Sequence, residues 1–366
     1  METSGWPDRR LLDLLKIQYP IVQAPMAGAM DWELVAAVSE AGGLGSLPCA
    51  MLNPQQLRDQ VDKIRARTQK PININFFCHK PPRIDNAREA AWRDRLAPYY
   101  RELGLDPNAG VKAASRAPFD AEMCEVVVEL KPSIVSFHFG LPEPSLLDRV
   151  KRAGCLIFSS ATTATEARWL VDYGADLVIA QGYEAGGHRG MFLADDLAGQ
   201  AGTFALIPQV VDAVSVPVIA AGGITDARGI AAAFALGACG VQMGTAFLFC
   251  PEAKISALHR AALKAARDDG TALTNLMTGR PARGLYNRIM RDCGPISDVA
   301  PAFPLAAAAL APLRAKAEAQ GSADFSPLWS GQAASLGREM PARELLATLA
   351  QETRQHLQRL AIVAAR

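Results

Sequence analysis

No charge excess of either sign marks this chain: 38 Lys and Arg stand against 37 Asp and Glu, a formal net charge of +1 over 366 residues. Without a basic surplus there is no electrostatic footprint for nucleic acid or for an anionic membrane, so neither is expected as a partner. No apolar run is long enough to span a bilayer; the longest uncharged late stretch, 299–313, is short and broken by Pro301 and Pro304. Residues 1–10 carry Glu2 and Asp8 and lack the apolar core of a signal peptide, so a cytoplasmic location is expected. Cys-x-x-Cys pairs are missing too. The seven cysteines are an odd number scattered through apolar segments, which argues against a zinc ribbon or a disulfide framework and for reduced, mostly buried thiols. There is no Gly-x-Ser-x-Gly elbow, no Gly-x-x-x-x-Gly-Lys-Ser/Thr loop and no strand-linked Gly-x-Gly-x-x-Gly. Serine hydrolase, P-loop NTPase and Rossmann dehydrogenase readings fall away.

What is present is half apolar, 50% of residues, and arranged as short apolar runs separated by helical patterns. Eight such runs stand at 20–26, 43–48, 71–77, 133–140, 155–161, 176–182, 216–224 and 240–248. Strand and helix in alternation make a parallel sheet covered on both faces, and eight repeats predict an α/β fold of the (β/α)8 TIM-barrel type. Helices are expected to start at Asp31, Asn53-Pro54, Thr163 and Thr225, and three of them to end at Gly42, Gly174 and Gly237. Two gaps between runs are too long for a simple crossover. The first, 78–132, shows helical patterns at 84–103 and 119–130 around a loop rich in Pro, Asn and Gly; the second, 183–203, opens with a glycine cluster ahead of a helix near 204–214. Both insertions follow the C-terminal end of a strand, the face on which barrel enzymes build their sites. The expected organisation is a barrel over 1–250, then a helical lobe and barrel-packing helices over 251–366, with helix patterns at 252–267 and 343–360.

Three clusters carry chemistry. Ala221-Gly222-Gly223-Ile224 and Gln242-Met243-Gly244-Thr245 end the last two strands, where free backbone amides make the usual phosphate cradle of barrels and Thr245 adds a hydroxyl; tight turns alone are the plainer account. After the sixth run, Gln181-Gly182-Tyr183-Glu184-Ala185-Gly186-Gly187-His188-Arg189-Gly190 lets main chain approach a ligand. His188 is its candidate general base, Glu184 a rival acid or base, and Arg189 a partner for Glu184 or for a ligand anion; an exposed loop histidine without a role is the competing account. At the end of the first run, Gln23-Ala24-Pro25-Met26 offers a rigid turn and a soft thioether surface for a flat ring, although core packing explains Met26 equally well. Asn75, a polar amide inside an apolar strand, needs partners that a heteroaromatic ring or a local turn can supply. Cys78 and His79 point to opposite faces of their strand, and His138 has no partner at metal-ligand spacing, so no metal site is expected.

These motifs, together with Asn75-Phe76-Phe77-Cys78-His79, Gly279-Arg280-Pro281-Ala282-Arg283-Gly284 and Leu328-Trp329-Ser330-Gly331-Gln332, run in order over nearly the whole chain. In them the sequence resembles the nitronate monooxygenase family, formerly 2-nitropropane dioxygenase, and within it the subgroup with true nitronate activity. The resemblance implies FMN across the C-terminal mouth of a barrel. Gly223, Gly244 and Thr245 would take its phosphate; Ala24, Pro25 and Met26 would meet its ring; Asn75, Gln181, Gly186 and Gln242 would complete the site, with Gly187, Gly222 and Met243 in the same turns. His188 matches the family's catalytic histidine. The implied reaction is oxidation of an alkyl nitronate, and of nitroalkanes more widely, by O2 to a carbonyl compound and nitrite, with a homodimer as one oligomeric state to test. The chain departs from the family in one place: its 301–313 stretch holds no tyrosine. An NAD(P)H-dependent quinone or enoyl-thioester reductase on the same barrel is the alternative reading, and a flavin- or phosphate-binding sensor without catalysis the lesser one.

Overall fold

The apolar runs do become parallel strands, but shorter ones than the runs themselves. The computed structural model describes residues 5–107 and 116–364, so residues 108–115 of the expected loop in the first insertion, and part of the stretch read for a leader, lie outside it. In chain order the strands are β1 (Ile21–Gln23), β2 (Gly45–Pro48), β3 (Ile72–Phe77), β4 (Ile134–His138), β5 (Leu156–Ala161), β6 (Leu177–Gln181), β7 (Gly187–His188), β8 (Val218–Ala221), β9 (Gly240–Met243), β10 (Thr271–Thr274) and β11 (Ala282–Leu285). Eight of these pair in the order β1-β9-β8-β6-β5-β4-β3-β2, all parallel, and a bridge between Val22 and Leu44 brings the first and last together. This is a (β/α)8 barrel. Leu11 and Leu15 of the helix Arg10–Leu15 pack with Val22, Leu44, Ile134 and Ile219 and close its N-terminal end.

Three of the expected helix starts are capped as the sequence requires. Asp31 accepts from the Glu33 amide at 3.0 Å, Asn53 and Gln56 form a reciprocal capping box, and Thr163 accepts from the Glu166 amide at 3.1 Å. The fourth moves by one residue: Asp226, not Thr225, caps the helix Ala227–Ala235, its carboxylate taking the amides of Arg228 and Gly229. Gly42, Gly174 and Gly237 all adopt positive φ just beyond a helix.

The seventh run was expected to stay extended to 224, but it ends at Ala221 because Gly222 and Gly223 take φ of +112° and +67° and leave the ladder. The eighth, expected to 248, ends at Met243; Thr245–Leu248 is a single helical turn that buries Ala246, Phe247 and Leu248. An apolar run alone does not separate those two outcomes. The tail differs more. Helices form at Ala257–Lys264, within the expected 252–267, and at Ala342–Ala364, but β10 and β11 between them make an antiparallel hairpin where only helices were expected. That hairpin adds β7 to its edge, with Ala282 opposite His188 and Arg283 opposite Gly187. The helix Asn86–Glu102 of the first insertion packs Trp92, Leu96 and Tyr100 against Leu310 and Leu313 of the helix Ala306–Ala319. Among the described residues no helix is long and apolar enough to cross a membrane.

Candidate active site

The eight barrel strands point their C-terminal ends at one cavity of about 270 Å³. Ala24, Pro25 and Met26 after β1, Asn75 on β3, Gln181 on β6, Gly186, Gly187 and His188 beyond it, Gly222 and Gly223 after β8, and Gln242, Gly244 and Thr245 on and after β9 all line it. Met243 does not. Its side chain is 1% exposed in the core, because neighbours on a strand alternate faces and Gln242 holds the cavity side; only its carbonyl serves the turn, accepting from the Ala24 amide at 2.8 Å.

His188 is fixed first through its main chain. Its carbonyl accepts from Gln181 Nε2 at 3.0 Å and from His138 Nε2 at 3.2 Å, while Gln181 Oε1 takes the Gly190 amide at 2.7 Å. The ring is then held by Thr278, whose Oγ1 lies 2.9 Å from Nε2. Phe303 and Trp329 stand 5.3 and 5.4 Å from the ring centre, and Phe77 and Phe139 6.1 Å away. Burial, then the charges of Arg116, His138, Arg280 and His79, hold its pKa well below the ordinary value. His188 is therefore a neutral imidazole at neutral pH, with Nε2 engaged and Nδ1 left for a ligand.

Two residues proposed beside it do other work. Glu184 is no acid or base here: its carboxylate takes the Thr203 amide at 2.8 Å and the Thr203 hydroxyl at 2.7 Å, capping the helix Thr203–Ala213. Arg189 meets neither Glu184 nor the cavity. It is fully buried and spends its nitrogens on the carbonyls of Gly182 and Gln181 and on Gln200, tying the glycine loop back onto β6. Sequence could not show this, because the tie is a side chain folding under its own loop.

Asn75 donates Nδ2 to Ser136 Oγ at 2.9 Å across β3 and β4, so half of its amide is satisfied within the barrel. His138, pushed down to about 4 chiefly by burial, bonds Ser160 through Nδ1 at 3.0 Å and lines the cavity. His79 packs edge-on to Phe303 at 4.8 Å, and Cys78 is not part of the cavity wall. Among the described residues no three His, Cys, Asp or Glu side chains stand together as metal ligands.

A strap from Ser326 to Gln332 closes one side. Gly331 donates to Thr245 Oγ1 at 2.9 Å, Gln332 to the Glu184 carbonyl at 3.0 Å, and His259 Nε2 bonds the Trp329 carbonyl at 3.0 Å. Its close approach explains Gly186: a Cβ there would sit 2.5 Å from the Gly331 nitrogen. Arg116, Phe303, Thr278 and His259 were not singled out from the sequence. They come from the insertion and the tail, with no periodicity to tie them to a barrel strand; only Thr278, beside the Gly279-to-Gly284 motif, had a nearby signal.

The chain is similar to known proteins over nearly its whole length. A family model described as nitronate monooxygenase matches residues 8–352. The nitronate monooxygenase of Pseudomonas aeruginosa is 45% identical over 94% of this chain and 99% of its own length. That of Paraburkholderia phytofirmans is 43% identical over 96% of this chain and 97% of its own. The crystal structure of nitroalkane oxidase from Streptomyces ansochromogenes superposes with a TM-score of 0.85, at 38% identity, covering 95% of this chain and 99% of that one.

Proposed function

The chain belongs to the nitronate monooxygenase family, and on that premise we propose that it oxidises alkyl nitronates with O2 to a carbonyl compound and nitrite, using FMN and His188. The observation that carries this reading is one continuous cavity lined both by the half-buried His188 ring and by the glycine turns after β8 and β9. The residues present fit a flavin. Gly222, Gly223 and Gly244 offer main chain to the cavity, Thr245 keeps a hydroxyl proton to donate, and Ala24, Pro25 and Met26 give an apolar wall. Gln242 Oε1 is buried without a partner, an acceptor suited to a ring N–H or a ribityl hydroxyl. By this reading Gly222, Gly223, Gly244 and Thr245 hold the phosphate end, while Asn75, Gln181, Gly186, Gly187 and Gln242 hold the rest. When bound, the flavin supplies the electron-transfer chemistry.

The protein supplies position, dryness and a proton site. The aromatic walls of Phe77, Phe139, Phe303 and Trp329 exclude water around His188. On this reading the Thr278 hydroxyl donates to the Arg280 carbonyl, 3.5 Å away, and accepts from Nε2–H, the tautomer that leaves the lone pair on Nδ1. Nδ1 takes the α-proton of a neutral nitroalkane, or, when the substrate arrives as the nitronate, bounds the pocket without transferring a proton. The test is direct: the purified protein should be yellow with the visible spectrum of bound FMN and should release nitrite from ethyl nitronate in air without a nicotinamide. Consumption of NAD(P)H with no nitrite formed would transfer the chain to the reductase reading.

A further inference from the structure

Arg116 is a cation of the cavity wall with no task in the account above. It lines the same cavity as His188, and its Nε is buried without a hydrogen-bond partner. Other buried arginines spend their guanidinium groups on the fold: Arg189 on the carbonyls of Gly182 and Gln181, Arg283 on the carbonyl of Tyr183. Arg314, also on the cavity wall, has Glu318 as an ion-pair partner at 2.8 Å. Among the described residues no acid answers Arg116 in this way. Burial opposes its charge, and the neighbouring charge it feels is the like charge of Arg314 rather than that of an acid. Its guanidinium carbon lies 6.0 Å from the centre of the Phe303 ring, which itself stands 5.3 Å from the His188 imidazole. A desolvated, uncompensated cation costs stability unless a ligand brings the opposite charge.

We infer that Arg116 is the anchor for a planar oxyanion of the substrate, and that it sets the preference of this cavity for anionic over neutral substrates. The inference rests on the nitronate reading. A guanidinium presents parallel N–H donors spaced for two coplanar oxygens, the geometry of a nitronate head and equally of a carboxylate at the substrate's other end. Nitrite has the same two-oxygen plane, so the product competes for the same group. A lysine restores the charge but not the fork, which separates charge from geometry.

The experiment uses the FMN-loaded enzyme with Arg116→Met, Arg116→Lys and Arg116→Ala, FMN content and thermal midpoint serving as fold controls. For ethyl nitronate, Arg116→Met should raise KM about tenfold or more with kcat changed far less, and Arg116→Lys should fall between it and the native enzyme. Added guanidinium ion should lower the KM of Arg116→Ala and not that of the native enzyme. Propionate 3-nitronate identifies the anion held: an equal rise with both substrates assigns the contact to the nitronate head, a rise confined to the carboxylate-bearing one to the tail. Unchanged KM for both overturns the inference. Titration with sodium nitrate, followed by Trp fluorescence, reads the site without turnover. If the native enzyme makes no nitrite, the functional reading fails, yet nitrate binding weakened about tenfold in Arg116→Met still supports the anchor, and equal binding still removes it.

Discussion

Thr278 Oγ1 lies 2.9 Å from His188 Nε2, and that bond decides which nitrogen of the ring is available. Thr278 is 2% exposed and sits between β10 and β11, so a tail hairpin far along the sequence orients a side chain of the barrel mouth. Thr278→Val should lower kcat on neutral nitroethane about tenfold and broaden the pH profile, while Thr278→Ser restores both. Loss on ethyl nitronate of the same size as on nitroethane would show that the hydroxyl only supports the loop.

The glycine turn after β8 should discriminate by charge. Gly223 has φ of +67°, which Asn and Asp tolerate better than other side chains, and a Cβ there would sit 3.1 Å from that of Glu184. Gly223→Asn and Gly223→Asp impose the same bulk, so their difference isolates the carboxylate. FMN should dissociate about tenfold more readily from the Asp variant, as a like-charge contact in a cavity demands. Equal FMN affinities, measured by equilibrium dialysis, would move the phosphate away from this turn.

Arg189 should behave as a structural residue. Its removal strands the carbonyls of Gly182 and Gln181 and the side chain of Gln200 in a buried place. Arg189→Met should cost about 3 kcal/mol in urea denaturation and release the 182–190 loop. A variant that kept native stability but lost nitrite production would instead give Arg189 a part in the chemistry.

Four histidines impose a pH dependence on stability. Burial is the largest cause in each case, with pKa values near 4 for His79, His138 and His259 and well below the ordinary 6.5 for His188. Below about pH 6.5 the unfolded chain binds protons that these rings refuse when folded, so stability falls as pH drops from 6.5 toward 4, and this contribution is flat above that window. Thermal midpoints from pH 8 to 5 should therefore decline only over the acid part of the range, and a rising midpoint on acidification would contradict the burial of these rings.

The barrel was legible because eight buried parallel strands must each be an apolar run, and no local rule competes with that pattern. Strand ends were less so: Gly222 and Gly223 stop β8 early through backbone conformations that hydrophobicity does not record. The β10–β11 hairpin escaped because its strands are only four residues each, Thr271–Thr274 and Ala282–Leu285, and Ala, Arg and Gly at Ala272, Ala282, Arg283 and Gly284 break any run of strand-favouring residues. Of the candidate site, the cavity-lining turns followed from glycine spacing at strand ends, whereas Met243 fell on the other face of β9 and Glu184 and Arg189 turned inward to hold the loop. Thr278, Phe303 and Arg116 reach the mouth from an insertion and a tail, and contacts so distant in sequence leave no local trace.

The central claim is that a neutral His188, open at Nδ1, serves the substrate in this cavity, and His188→Asn tests it most directly. Rates of nitrite release should be compared for nitroethane and for preformed ethyl nitronate, with FMN content checked in both proteins. The account predicts a variant that stays yellow and loses about a hundredfold or more on nitroethane, with a much smaller loss on the nitronate. Equal losses on the two substrates would contradict it.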